Sequence, residues 1–114
     1  MTTDRQLLED AARAAGHTLR KAMEYEDGSS WYGIIASGDG YSEDFDPLND
    51  DGDALRLAVK LRMDITHFSD IVRADVTGYD DCHERNDADP CAATRRAITR
   101  AAAAIGRQKE AGNG

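Results

Sequence analysis

Apolar residues in the first part of the chain recur at the spacing of one helix face, with Leu7, Leu8, Ala11, Ala12 and Ala15 on one side and polar residues elsewhere. Thr2 or Thr3 supplies a cap, so the pattern predicts a helix over Thr3–Ala15, ended by Gly16. From His17 to Tyr25 two periods compete. Leu19, Ala22 and Met23 suit a helix face, while Leu19, Met23 and Tyr25 also fall on one side of a strand. The strand is the reading taken, because Asp27-Gly28-Ser29-Ser30 is turn chemistry and the following Trp31–Ala36 is aromatic and β-branched, which together make a hairpin. A polar, glycine-containing loop follows, with Gly38-Asp39-Gly40 read as a turn.

Asp50, Asp51 and Asp53 sit where a helix start favours carboxylates, both as acceptors for free amides and as charges at the positive end of the dipole. Ala54, Leu55, Leu57, Ala58, Val59 and Leu61 make this second helix apolar on most sides, which predicts that it is largely buried with Arg56 and Lys60 at its solvated edge. Met63–Phe68 and Ile71–Thr77 alternate around Ser69-Asp70, a second hairpin. Gly78–Ala88 is polar and acidic and is expected as an exposed, disordered loop. Asp89 as cap and Pro90 at the first helical position open the last helix. Cys91, Thr94, Ile98, Ala101 and Ile105 form its apolar stripe, and Gly106 is its expected end.

The expected fold class is α+β, in α-β-β-α-β-β-α order. Four mostly antiparallel strands would form one sheet covered by three helices, an α/β/α layered sandwich. At 114 residues the chain fits one domain, taken as 1–110 with a flexible tail at 111–114.

Composition adds a charge pattern to this outline. Net charge is -8, and from Ala22 to Leu55 every charged residue is an acid. Beyond Asp89 the balance reverses, with Arg95, Arg96, Arg100, Arg107 and Lys109 against Glu110 alone. Such separation acts on solubility, partner choice and association rate more than on fold. The 40% apolar share supports a folded core. The amino terminus carries acids and lacks the apolar stretch of a signal peptide, and two cysteines are too few for a disulfide framework, so an intracellular protein with reduced thiols is expected.

Two segments carry a resemblance: Phe45-Asp46-Pro47-Leu48-Asn49-Asp50-Asp51-Gly52-Asp53-Ala54-Leu55-Arg56-Leu57-Ala58-Val59-Lys60-Leu61, and Cys91-Ala92-Ala93-Thr94-Arg95-Arg96-Ala97-Ile98-Thr99-Arg100-Ala101-Ala102-Ala103. With the opening helix, they resemble the phage ABA sandwich domain, a group of small proteins encoded by bacteriophages and prophages. Phe45 departs from the tryptophan usual before the Asp-Pro-Leu run. The resemblance implies an α/β/α layered fold and a phage origin, and it implies no catalytic residue.

Candidate chemistry thins on inspection. Asn49–Asp53 invites comparison with a calcium loop, yet placing Gly52 sixth puts Pro47 first and Ala58 twelfth, so two essential ligands are missing. Cys82, His83 and Cys91 lie close in sequence, with His67 as the only fourth ligand on offer. Without a CxxC, and with Cys91 on an apolar stripe, core cysteine is the reading taken over zinc. No nucleophile motif is present, His17 and His67 read as structural, and the abundance of acids makes any one carboxylate pair unspecific. No metal or cofactor is expected.

The leading expectation is a non-enzymatic phage accessory protein in the cytoplasm of an infected bacterium. It would bind and modulate a host protein, for instance a nucleic-acid-binding component of a defence such as CRISPR, through an acidic surface of Glu43, Asp44, Asp46, Asp50 and Asp51 that competes for a cationic groove. The competing expectations are a small metal-dependent hydrolase or nuclease, and a nucleic-acid-binding regulator contacting phosphate through Arg95, Arg96 and Arg100. Net acidity argues against direct nucleic-acid binding, and no membrane association is expected.

Overall fold

The computed structural model describes residues 3–24, 30–35, 42–86 and 89–112, with side chains described for 3–17, 45–86 and 89–109. The first helix, α1, spans Asp4–Ala14 and is capped by Thr3, whose Oγ1 accepts from the Gln6 amide at 3.1 Å. It ends where the sequence places a glycine. Gly16 takes a positive φ of 82°, its amide donates to the Arg13 carbonyl and the His17 amide to the Ala12 carbonyl, a paired closure that satisfies the last free carbonyls.

Among the described residues six strands follow in two groups of three: β1 (Thr18–Glu24), β2 (Ser30–Ile35) and β3 (Ser42–Asp44), then β4 (Asp64–His67), β5 (Ile71–Asp75) and β6 (Cys82–Arg85). Each group is an antiparallel sheet whose strands neighbour one another in chain order. The second helix, α2 (Asp51–Lys60), separates them, and the third, α3 (Pro90–Gly112), closes the chain. Both expected hairpins form, as β1–β2 and β4–β5. The expected single four-stranded sheet does not form among the described residues, because each hairpin instead acquires a third strand of its own. β3 pairs to β2 through three residues, and β6 pairs to β5 from Ile71↔Arg85 to Ala74↔Cys82.

The second of these overturns the expected loop at Gly78–Ala88. Alternation is present in β6, but in polar form: Cys82 and Glu84 oppose the fully buried Ala74 and Val72, while His83 and Arg85 take the other face. Glu84 is tolerated on the inner face because Arg100 of α3 meets its carboxylate. Asn86 then ties the strand's end to the β4–β5 turn, its amide donating to the Asp70 carbonyl at 2.8 Å and its Nδ2 to the Phe68 carbonyl at 3.2 Å. The expected turns at Asp27–Ser29 and Gly38–Gly40, and the tail at 113–114, lie outside the described residues.

α3 packs in two directions at once. Ala93, Ala97 and Ala101, four residues apart, face the inner side of the second sheet with Val72 and Ala74, while Ile98, Ala102 and Ile105 face α1 and α2. Alanine makes this possible, since a helix clad in methyl groups lets neighbours approach on several sides and loses no side-chain entropy. The fully buried Thr99 satisfies its hydroxyl internally by donating to the Arg95 carbonyl at 2.8 Å.

Gly106 does not end the helix, which continues to Gly112. Its role is closeness. α1 and α3 run side by side in the same direction, pinned by Arg96–Asp4, Arg107–Asp10 and a Lys109 Nζ bond to the Ala14 carbonyl. At Gly106 the backbones approach so nearly that a Cβ would stand 1.9 Å from the Asp10 carbonyl oxygen. Asp10 is itself buried at 5% exposure, and its carboxylate is shared between Arg13 at 2.6 Å and Arg107 at 3.5 Å. No helix among the described residues is long and apolar enough to cross a membrane.

Gly106→Ala tests the crossing directly. In an open helix the change would stabilise by about 1 kcal/mol through propensity, whereas forcing a methyl into backbone contact costs roughly 3 kcal/mol. A net loss of about 2 kcal/mol in urea unfolding is expected, and a stabilised variant would contradict the close approach.

Candidate interaction surface

The acidic segment before α2 is held by two buried anchors, Phe45 at 5% exposure and the fully buried Pro47. Between and after them the carboxylates do structural work. The Asp46 carboxylate accepts from Asn49 Nδ2, and the Asp50 amide donates back to the Asp46 carbonyl at 2.8 Å. Asp50 caps α2 as expected, its Oδ2 accepting from the Asp53 amide at 2.8 Å. Asp53 turns inward, with Oδ2 accepting from the Asp46 amide at 2.9 Å and Oδ1 meeting Arg56.

Arg95 of α3 reaches into the same region. Its Nε donates to the Leu48 carbonyl at 2.9 Å and its Nη1 to Asp51 Oδ1 at 2.7 Å, so one planar guanidinium braces both the turn and the helix start. The bond to Asp51 pushes the Arg95 pKa above its ordinary value. The acidic tract is therefore partly neutralised by Arg56 and Arg95. Asp50 and Asp51 still leave 58% and 75% of their side chains to solvent. Glu43 and Asp44 precede them on β3, and their side chains lie outside the described residues.

The three arginines considered for phosphate contact are each engaged with a carboxylate on a different element: Arg95 with Asp51, Arg96 with Asp4 and Arg100 with Glu84. They stitch α3 to its neighbours. The cysteines and histidines considered for zinc are likewise dispersed. Consecutive strand residues point to opposite faces, so Cys82 turns toward the buried side and His83 away from it, where Nε2 lies 3.3 Å from Asp81. Cys91 is exposed at the start of α3 and both thiols are free. Among the described residues no group of three or more His, Cys, Asp and Glu is placed to hold a metal ion.

What the residues do build is a groove. Between α2, β4 and the first turns of α3 lies an open, apolar depression of about 440 Å³, lined by Leu55, Ala58, Ile65, Cys91 and Ile98. Asp51 and Arg95 close one edge, and His67 and Thr94 supply its other polar groups. Thr94 donates its hydroxyl hydrogen to the Pro90 carbonyl at 2.7 Å, so the 3.0 Å contact with His67 Nε2 requires the ring nitrogen to donate.

The expectation that α2 is largely buried fails here. Leu55 is 64% exposed and Val59 68%. A helical projection explains both: Ala54, Leu57, Ala58 and Leu61 form the core stripe at i, i+3, i+4 and i+7, and Leu55 and Val59 fall roughly 100° or more to its side. The signal was present in the spacing, where counting apolar residues without assigning them to faces hid it. Phe68, 47% exposed after β4, is the other large apolar side chain left outside the core among the described residues.

No protein-family model matches this chain, and no curated protein or solved structure matches it either.

Two outcomes follow from the contacts. Lysine in place of Arg95 keeps the charge but offers no rigid fork for both Leu48 and Asp51. Arg95→Lys is expected to lower stability by about 1 kcal/mol in thermal or urea unfolding, and an unchanged melting temperature would contradict the brace. The thiols should also differ. Burial pushes the Cys82 pKa up, so at mildly alkaline pH it holds less thiolate than an ordinary cysteine. Iodoacetamide read by mass spectrometry should label Cys91 first, and faster labelling of Cys82 would contradict its inward placement.

Proposed function

We propose that this is a non-enzymatic phage accessory protein that binds and modulates a host macromolecule in the cytoplasm of an infected bacterium, and that its contact surface centres on the α2–α3 groove and the acidic end beside it. The observation that carries the reading is the exposed apolar lining of that groove. A small, strongly acidic chain that leaves Leu55 and Val59 in water beside an open depression presents a docking surface.

The phage origin rests on the resemblance of residues 45–61 and 91–103 to the phage ABA sandwich domain. The two three-stranded sheets depart from the single sheet that an α/β/α sandwich implies. The partner is a host protein with a cationic surface, such as a nucleic-acid-binding defence component. Asp50 and Asp51, with Glu43, Asp44 and Asp46 preceding them, steer the encounter, while the groove supplies the short-range contact. Partial neutralisation by Arg56 and Arg95 makes the apolar contact the larger contributor and reduces the acids to a directing role.

Capture of host proteins by tagged full-length chain tests this. Leu55→Asp should abolish capture of the partner, and replacing Asp44, Asp46 and Asp50 together with Asn should weaken it about tenfold while leaving α2 capped, because asparagine caps as well as aspartate. Equal capture by wild type and both variants would overturn the reading.

A further inference from the structure

One flank of α2 carries an ordered set of residues. Asp51, Leu55 and Val59 stand four residues apart on a single stripe, and the exposed Arg62 follows just past the helix end. The stripe is acidic at the start, apolar in the middle and cationic at the finish. Its members are turned to solvent. Among the described residues Leu55 and Val59 are the two most exposed large apolar side chains, Asp51 leaves 75% of its side chain to solvent beside its pair with Arg95, and Arg62 has no ion-pair partner.

Arg62 carries a second signal. It occupies the left-handed position at the end of α2, with φ at 54°, where its amide donates to the Val59 carbonyl and the Met63 amide to the Ala58 carbonyl. The same closure of α1 uses Gly16. A non-glycine residue is strained in that conformation. A cation thus holds the strained position at the end of the stripe.

We infer that this stripe is self-complementary and that two copies of the chain pair through it, with their α2 helices antiparallel about a two-fold axis. Antiparallel pairing sets Asp51 of each copy against Arg62 of the other, and brings Leu55 and Val59 of both into a shared apolar centre. A two-fold axis requires one patch to satisfy itself in this way. Parallel pairing would instead place acid against acid and cation against cation. Each Leu55 stands at the lip of its own groove, so pairing also covers the groove's mouth. The apolar centre is small compared with the roughly 1,200 Å² or more of a stable interface, so the expected association is weak, in the micromolar range. The inference rests on the preceding reading only for the location of the surface, and it adds regulation: a second copy and a host partner exclude each other.

Sedimentation velocity of the full chain from low to high micromolar concentration tests the pairing, with melting temperature as the check on folding. Wild type should pass from monomer to dimer. Leu55→Asp and, separately, Val59→Lys should stay monomeric with unchanged melting temperature, as expected for exposed positions. Arg62→Asp should weaken pairing about three- to tenfold by setting acid against Asp51 of the other copy, and Arg62→Lys should keep it. A wild type that is monomeric throughout, or a Leu55→Asp variant that pairs like wild type, overturns the inference. An Arg62→Asp variant that pairs like wild type overturns the antiparallel register. A wild type that pairs but captures no host protein would sink the proposed function and leave this inference standing, and a wild type that captures a host protein but stays monomeric would do the reverse.

Discussion

Close approach to α3 is the constraint on which the rest of the structure depends. The helix offers neighbours a surface of methyl groups and one bare backbone, so α1, α2 and the second sheet all settle against it. Tight packing gains dispersion contacts in proportion to how little space is left between elements. That gain is what a 114-residue chain with few large aromatics has available. Phe45, Ile98 and Ile105 fill the remaining volume on one side, and Val72 on the other.

The polar contacts follow the same geometry. Because small residues bring the backbones together, long arginines at the margin of α3 reach carboxylates on its neighbours: Asp4, Asp51, Glu84 and Asp10. The most exposed of these pairs, Arg96–Asp4, contributes little singly. The value of the pairs lies in orientation, since each fixes the rotation of one element about α3. Of these four carboxylates only Asp51 belongs to the acid-only stretch from Ala22 to Leu55, so among the described residues α3 neutralises that stretch at one position.

Much of this was legible from residue order. Thr3 as cap, Gly16 as stop, Asp50 as the cap of α2, and Asp89-Pro90 as the opening of α3 are local chemistry, and local chemistry is written in adjacent residues. The two hairpins were legible from alternation. Three features were not. β6 turns a half-buried cysteine and glutamate inward instead of hydrophobic residues, and its glutamate is acceptable only because Arg100 arrives from a distant helix. Gly106 looks like a terminator, and only the position of Asp10 shows that it is a contact. The third strand of each sheet is recruited by backbone pairing, which leaves little trace in side-chain pattern, as polar Ser42–Asp44 shows. The candidate surface was half legible: its acids stood out, while the exposure of Leu55 and Val59 depends on which face of α2 meets α3.

The groove's walls, α2, β4 and the start of α3, share packing against α3, which gives that helix the role of common support. Native-state hydrogen exchange measures this most directly. If α3 organises the fold, the amides of Ala97 to Ile105 should exchange only through global unfolding, with the inner strand β5 protected to the same degree. Exchange of those α3 amides through local opening, at free energies well below that of β5, would contradict the account.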